Sequence, residues 1–350
     1  VLLAGVLAVG VHFQLRGSIT PAQACDRQAA ALSPAGQDDA VTVDPRYAPS
    51  PFVTGSLWTP PYAGAEQAAA DADRSDHGAE AARFRRLAAT PRAVWYADPG
   101  RTGADLTAAV AGTVGAAVGR HQVPVLVAYA IPLRDCGGES AGGTSSAAAY
   151  RTWIAAFAAG LRAGGAGQGT GVAVVLEPDA LGLLDRLPAD RQQERLGLLR
   201  DATTTLAAVD GVAVYLDAGH SSWVPVDQMR SRLVDAGVAG ARGFALNVAN
   251  FRLTSLEVGY GQQLAGLLGG KSFVVDTSRN GHGPTDDDRW CNPPGRALGT
   301  APQLAAGGPV DAYLWVKSPG ESDGACGGGA PAAGVFWPSY ADDLTRGAGW

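Results

Sequence analysis

GVAVVLEPDALG, residues 171–182, carries five successive apolar residues, Val172 to Leu176, straight into Glu177, Pro178 and Asp179. A strand that is apolar at every position, without alternation, is one covered on both faces. Runs of near-continuous apolar character recur along the chain at Ala93–Ala97, Val123–Ala130, Val212–Leu216, Gly243–Val248, Ser272–Val275 and Ala312–Val316. The segments between these runs have helical period. Tyr150, Trp153, Ile154, Phe157 and Leu161 follow the i, i+3/4, i+7 spacing of one buried face. Thr254 with Glu257 reads as a capping box opening the helix of Leu264, Leu267 and Leu268. Seven runs alternating with helices predict parallel βα units, and so an α/β fold that is either a barrel or a doubly wound sheet.

Polar residues follow each run. Arg134, Asp135 and Cys136 close the second, Glu177 and Asp179 the third, and Asp217 and His220 the fourth. Asn247 and Asn250 come with the fifth, Asp276, Arg279, Asn280 and His282 with the sixth, and Lys317, Glu321 and Asp323 with the last. One aspartate at a strand end is most simply a helix cap. Six consecutive strands ending this way place a carboxylate-rich site at the C-terminal ends of the strands, where α/β barrels carry their chemistry. The chain has no GxxxxGK[ST], no GxGxxG opening a helix, no HExxH and no GxSxG. No two histidines share a ligand spacing, so neither a metal nor a cofactor is expected. What remains is chemistry by paired carboxyls, such as glycoside hydrolysis, which needs one protonated and one ionised carboxyl across a sugar. Trp95, Trp223, Trp290 and Trp315 lie at or just past strand ends. Trp223 and Trp290 sit among polar loop residues and suit sugar platforms; Trp153 and Trp315 read as core.

The 350 residues can bury a sizeable core, and 46% hydrophobic against 17% charged residues is a globular balance. A net charge of −6 is the wrong sign for a nucleic-acid binder and is compatible with a neutral substrate. Residues 1–24 read as the remnant of a signal peptide or anchor: Val1 to Val11 is apolar but too short to span a bilayer, and Ala22-Gln23-Ala24 has the small-x-small form of a cleavage site. The long gap between the two keeps an uncleaved membrane anchor as the alternative to a secreted protein. A flexible lead is expected over 25–50 and the catalytic domain over 51–350. Four cysteines in an exported chain admit three pairings. Cys291 and Cys326 flank the last run and are expected to pair, which leaves Cys25 with Cys136.

Seven segments together resemble glycoside hydrolase family 6, the cellulases and cellobiohydrolases: VWYADP (94–99), VAYAIPLRDC (127–136), VLEPDALG (175–182), YLDAGHSSW (215–223), DTSRNGHG (276–283), WCNPPGRALG (290–299) and LWVKSPGESDG (314–324). They occur in the family's order, from about Pro51 to the C-terminus. The resemblance implies a distorted parallel (β/α) barrel of about seven strands and an inverting hydrolase of β-1,4-glucan, such as cellulose and cello-oligosaccharides. It implies Asp179 as general acid, Asp135 as the neighbour whose charge keeps Asp179 protonated, Asp323 as candidate base, and Tyr129 crowding the sugar at the point of cleavage. Trp95, Trp223 and Trp290 match sugar platforms, Lys317 and Glu321 sugar contacts, and Asp217 and His220 the site wall. Arg134, Ser140, Asn247 and Asn250 complete the expected substrate-binding set.

This sequence departs from the pattern in three places. No cysteine lies shortly after the EPD motif to bond Cys136; the serine that helps hold the family's catalytic water is displaced by one position to Ser140; and Val226 stands where many cellobiohydrolases have a second tryptophan. The short segment between Cys291 and Cys326 points to an open groove and a monomeric endoglucanase with no stable protein partner. The rivals are a cellobiohydrolase and an inactive glucan-binding protein on the same barrel.

Overall fold

Strands with no polar face are stable only between two layers, and the apolar runs occupy such a place. The computed structural model describes residues 21–31, 49–305 and 307–350. Ten strands are described: β1 (Ser56–Leu57), β2 (Val94–Tyr96), β3 (Gln122–Val123), β4 (Val125–Ala128), β5 (Val172–Leu176), β6 (Val212–Asp217), β7 (Gly243–Leu246), β8 (Ser272–Asp276), β9 (Gln303–Leu304) and β10 (Val310–Leu314). The main sheet runs β2-β4-β5-β6-β7-β8-β10-β9, parallel throughout except for the short β9 at its edge. The two ends of the parallel run approach each other as the sheet curls. Ala93 N–H donates to the Trp315 carbonyl at 2.9 Å, and the Trp95 indole Nε1 to the Val316 carbonyl at 2.7 Å. This thin seam is what makes the α/β barrel a distorted one.

Nine helices are described: α1 (Pro21–Ala31), α2 (Ala63–Arg74), α3 (Gly78–Ala88), α4 (Gly103–Val118), α5 (Ala147–Ala163), α6 (Ala189–Ala207), α7 (Val226–Asp235), α8 (Thr254–Leu267) and α9 (Pro338–Gly347). Each buried strand splits its residues between two cores. Leu126, Val174, Val214 and Phe244 pack in an outer core with Trp153, Phe157 and Leu161 of α5. Val127, Val175, Tyr215 and Ala245 fill the barrel. Near the N-terminal ends of the strands a polar knot closes it: Asp311 accepts the Tyr215 hydroxyl at 2.7 Å and the Arg242 fork at 2.9 Å on both oxygens. The expected face of α5 is buried at all five positions, and Ser146 caps that helix by accepting from Ala149 N–H.

The capping box expected at Thr254 and Glu257 does not form. The Asn280 amide takes the Thr254 hydroxyl as acceptor, and the buried Glu257 carboxylate accepts the Ser221 N–H across to the loop after β6. Tertiary partners have outbid the local ones. Residues 1–20 of the expected export segment lie outside the described residues, as do 32–48 of the expected lead. Between them α1 is helical, with Cys25 fully buried. Among the described residues no helix is long and apolar enough to cross a membrane.

Candidate active site

The loop after β5 is built around two residues in left-handed backbone, Glu177 (φ +49°) and Asp179 (φ +68°). Such φ values cost a non-glycine residue about 1–3 kcal/mol and persist only where the surroundings hold them. Here the holders are explicit. The Glu177 carboxylate, fully buried, accepts the N–H groups of Ala130 and Ile131 at 3.0–3.1 Å and so ties the end of β5 to that of β4. Asp179 N–H donates to Asp217 Oδ2 at 2.9 Å, tying the same loop to β6. Burial lifts the Glu177 carboxyl to about 7 against the pull of its N–H donors.

Asp179 is placed to keep a proton. Burial raises its carboxyl well above the usual carboxylate range, and the charges of Asp217 and Asp135 raise it further. Asp217 thus shares the part expected of Asp135. Asp217 is itself raised to about 7, mainly by burial; one oxygen holds Asp179 and Gly219 N–H, and the other has no protein partner among the described residues. An acid works while protonated, so rate falls as pH rises through its pKa. In Asp217→Asn a negative neighbour is gone while an amide oxygen still accepts both N–H groups. The basic limb of the kcat profile on cello-oligosaccharide is therefore expected to move to lower pH, whereas an unmoved limb would show that Asp217 does not tune Asp179.

The loop after β4 carries Asp135, also left-handed at φ +43°. Asp135 Oδ2 accepts both the N–H (2.8 Å) and the hydroxyl (2.7 Å) of Ser140. The Ser140 hydroxyl lies 3.1 Å from the Tyr129 hydroxyl, which donates to Asp179 Oδ2 at 3.4 Å. Ser140 thus links the two carboxylates through Tyr129. A Cβ at position 138 would come within 2.2 Å of Asp135 Oδ1, so any side chain there would displace that carboxylate. Arg134 organises this loop: its guanidinium donates to the carbonyls of Ala97, Tyr129 and Ser140 and lies over the Tyr129 ring.

Asp323 comes from the far side of the seam. Burial alone would raise its carboxyl, but Arg279 (2.9 Å) and Lys317 (3.6 Å) outweigh burial and hold it below its ordinary value. The Asn292 N–H donates to Asp323 Oδ2, and the Asn292 side-chain oxygen accepts the Asp323 N–H in return. Arg279 stood among the strand-end residues without a role, and nothing in the pattern singled out Asn292. Asp276, fully inside, accepts the N–H groups of Ala249, Ser278 and Lys317 at 2.9 Å each and fixes three loops at once.

Trp290 is 51% exposed, while Trp95 and Trp223 are half-buried. Trp95 meets Tyr129 edge to face at 5.3 Å. The Trp223 ring packs so close to the Asp179 loop that a Cβ on Gly182 would come within 2.9 Å of it. Trp153 and Trp315 are core, as read. Burial lowers His220 to about 4, leaving a neutral ring 5.2 Å from Trp223. Asn247 uses its amide on the carbonyls of Arg252 and Asp276 and on Arg252 N–H, and Asn250 donates to the Val248 carbonyl. The Lys317 ammonium also reaches the Ser322 carbonyl at 3.2 Å, and burial raises the Glu321 carboxyl. Both disulfides, Cys25–Cys136 and Cys291–Cys326, are formed as paired from the sequence.

The sequence profile of glycosyl hydrolases family 6 matches residues 52–348. Endoglucanase A of Cellulomonas fimi is 44% identical over 277 residues, which are 78% of this chain and 58% of that protein. The chain thus spans little more than half of that relative. Endoglucanase 1 of Streptomyces halstedii is 40% identical over 326 residues, 91% of this chain and 94% of its own length. The structure of the endoglucanase Cel6 from Mycobacterium tuberculosis, in complex with methyl-cellobiosyl-4-deoxy-4-thio-β-D-cellobioside, matches with a TM-score of 0.80 at 44% identity. That match covers 86% of this chain and 100% of that one.

Proposed function

The chain belongs to glycosyl hydrolases family 6, and from that membership we propose that it is a secreted, inverting endo-β-1,4-glucanase acting on cellulose and cello-oligosaccharides. The observation that carries the chemistry is Asp179, a carboxyl kept protonated at the C-terminal end of β5 by burial and by Asp217 and Asp135. Protonated and half-buried, Asp179 is the general acid that delivers a proton to the leaving oxygen. Tyr129, directed at Asp179 and walled by Trp95, crowds the sugar being cleaved. Asp323, held ionised by Arg279 and Lys317, is the base candidate. So strongly paired a carboxylate is a weak base, which suits polarising a water better than taking its proton outright. Trp95, Trp223 and Trp290 offer flat apolar faces for successive glucose rings.

Internal cleavage is supported by the names of the relatives and by the exposure of Trp290, as in an open groove. Export is supported by two disulfides, which form in oxidising compartments. The test is a proton-NMR time course with cellohexaose, run beside viscometry of carboxymethylcellulose. Early α-anomer establishes inversion, and viscosity falling well ahead of reducing-end release establishes internal cuts. Early β-anomer refutes inversion, release of cellobiose without loss of viscosity refutes internal action, and binding without hydrolysis makes the protein a glucan binder.

A further inference from the structure

The matched region begins at residue 52, yet α1 lies against the two loops that carry Asp135 and Asp179. Cys25, fully buried, is bonded to Cys136, the residue after Asp135. Its sulfur also lies 3.6 Å from the carbonyl oxygen of Arg186, in the segment that follows Asp179. Cys25 and Ala29 pack with Leu133 and Cys136 of the one loop and with Leu187 of the other, in a small core separate from those of the barrel. The loop so held is strained, with Leu133 at φ +59° and Asp135 at φ +43°. From beneath, Arg195 of α6 reaches the same two loops, donating to the carbonyls of Pro132 and Leu133 at 2.8 Å and of Ala180 at 3.4 Å.

We propose that α1 is a working part of the active site: a brace, anchored by the Cys25–Cys136 bond, that fixes the Asp135 loop relative to the Asp179 loop. Cys25 is a positioning residue that acts through Cys136 on Asp135. The physical reason is that two strained left-handed residues relax unless something over-determines them, and a covalent tie adjacent to Asp135 does so. If the tie is lost, Asp135 and the Ser140 hydroxyl shift away from Tyr129 and Asp179. The proton affinity of Asp179 then drops with its negative neighbour, and a displacement of about 1 Å at a catalytic group is enough to cost up to about a hundredfold in rate. The inference extends the hydrolase reading and rests on it for its kinetic arm.

The experiment compares the full chain with Cys25→Ala and with Ala29→Arg, which keeps the disulfide but forces α1 off its seat. Amide hydrogen exchange over residues 131–142 is read by mass spectrometry, alongside kcat, KM and the pH profile on cellohexaose well below the unfolding temperature. Expected are faster exchange in that loop, kcat down about tenfold or more with KM changed little, and a basic limb shifted to lower pH in both variants. Unchanged exchange overturns the brace, and it is read without turnover, so it decides the matter even where the hydrolase reading fails. A lower unfolding temperature with wild-type kcat and an unmoved pH limb also overturns it, since α1 would then be structural support only. Should Cys25→Ala fail to fold, Ala29→Arg still tests the brace through the seat of α1, because a disulfide to a displaced helix no longer fixes the Asp135 loop.

Discussion

Asparagine in place of Asp179 is expected to leave the protein folded and able to bind cellohexaose, while slowing its hydrolysis at least about a hundredfold. The amide has the size and shape of the carboxylic acid, and the bond from residue 179 to Asp217 uses the backbone N–H, which the substitution leaves in place. What is lost is the proton. Burial and the carboxylates of Asp217, Asp135 and Asp323 raise the affinity of Asp179 for that proton, and an amide has none to give to the leaving oxygen. A substrate whose leaving group needs no proton separates this from general damage. Dinitrophenyl cellobioside should lose far less rate in Asp179→Asn than cellohexaose does. An equal loss on both would mean that Asp179 holds the site in shape without donating to the leaving group.

Asp323→Ala should be the most destabilising of the single changes in the site, by about 3–5 kcal/mol in chemical denaturation. Asp323 neutralises Arg279, whose side chain is 0% exposed, and stands beside Lys317, which is 11% exposed. With the carboxylate gone, two cations are left close together out of water. Arg279 retains the Ala249 carbonyl and its place over the Phe251 ring, neither of which carries a full negative charge. Loss of activity in this variant therefore does not by itself identify a base. The double variant Asp323→Ala/Arg279→Met separates the two effects: stability should largely return because the buried charge is removed with its partner, while hydrolysis stays absent. Activity returning with stability would remove Asp323 from the chemistry. Unchanged stability in the single variant would mean that the Arg279 pairing contributes nothing to the fold.

The strands were legible because their cause is local. Seven runs with no polar face, spaced by helical segments, specify parallel strands covered on both sides, and the same rule places the polar residues after Leu176, Leu216 and Leu314 at one end of the barrel. The family's motifs then put Asp135, Asp179 and Asp323 on the page as a set. The sequence read less well wherever one polar group had several partners to choose from. Glu257 looked like a capping residue by spacing, but the Ser221 N–H lies within its reach only once β6 and α8 are neighbours. Arg134, Asn247 and Asn250 were expected as sugar contacts, and nothing in the sequence showed that they also donate to loop carbonyls that the strand ends bring within reach.

By itself, then, the sequence determined the alternation of buried strands and helices, the end of the barrel that bears the carboxylates, and which aspartates gather there. The tertiary structure decided what each carboxylate is. The Asp179 carboxyl is raised and the Asp323 carboxyl lowered, although both follow apolar strands, because one is buried beside Asp217 and Asp135 and the other lies beside Arg279 and Lys317. It also decided that Cys25, 111 residues before Cys136, sits against the Asp135 loop. Charge and burial act through distance in space. The separation of 38 positions in sequence between Asp179 and Asp217 becomes 2.9 Å from backbone nitrogen to carboxylate oxygen only when the barrel sets β5 beside β6.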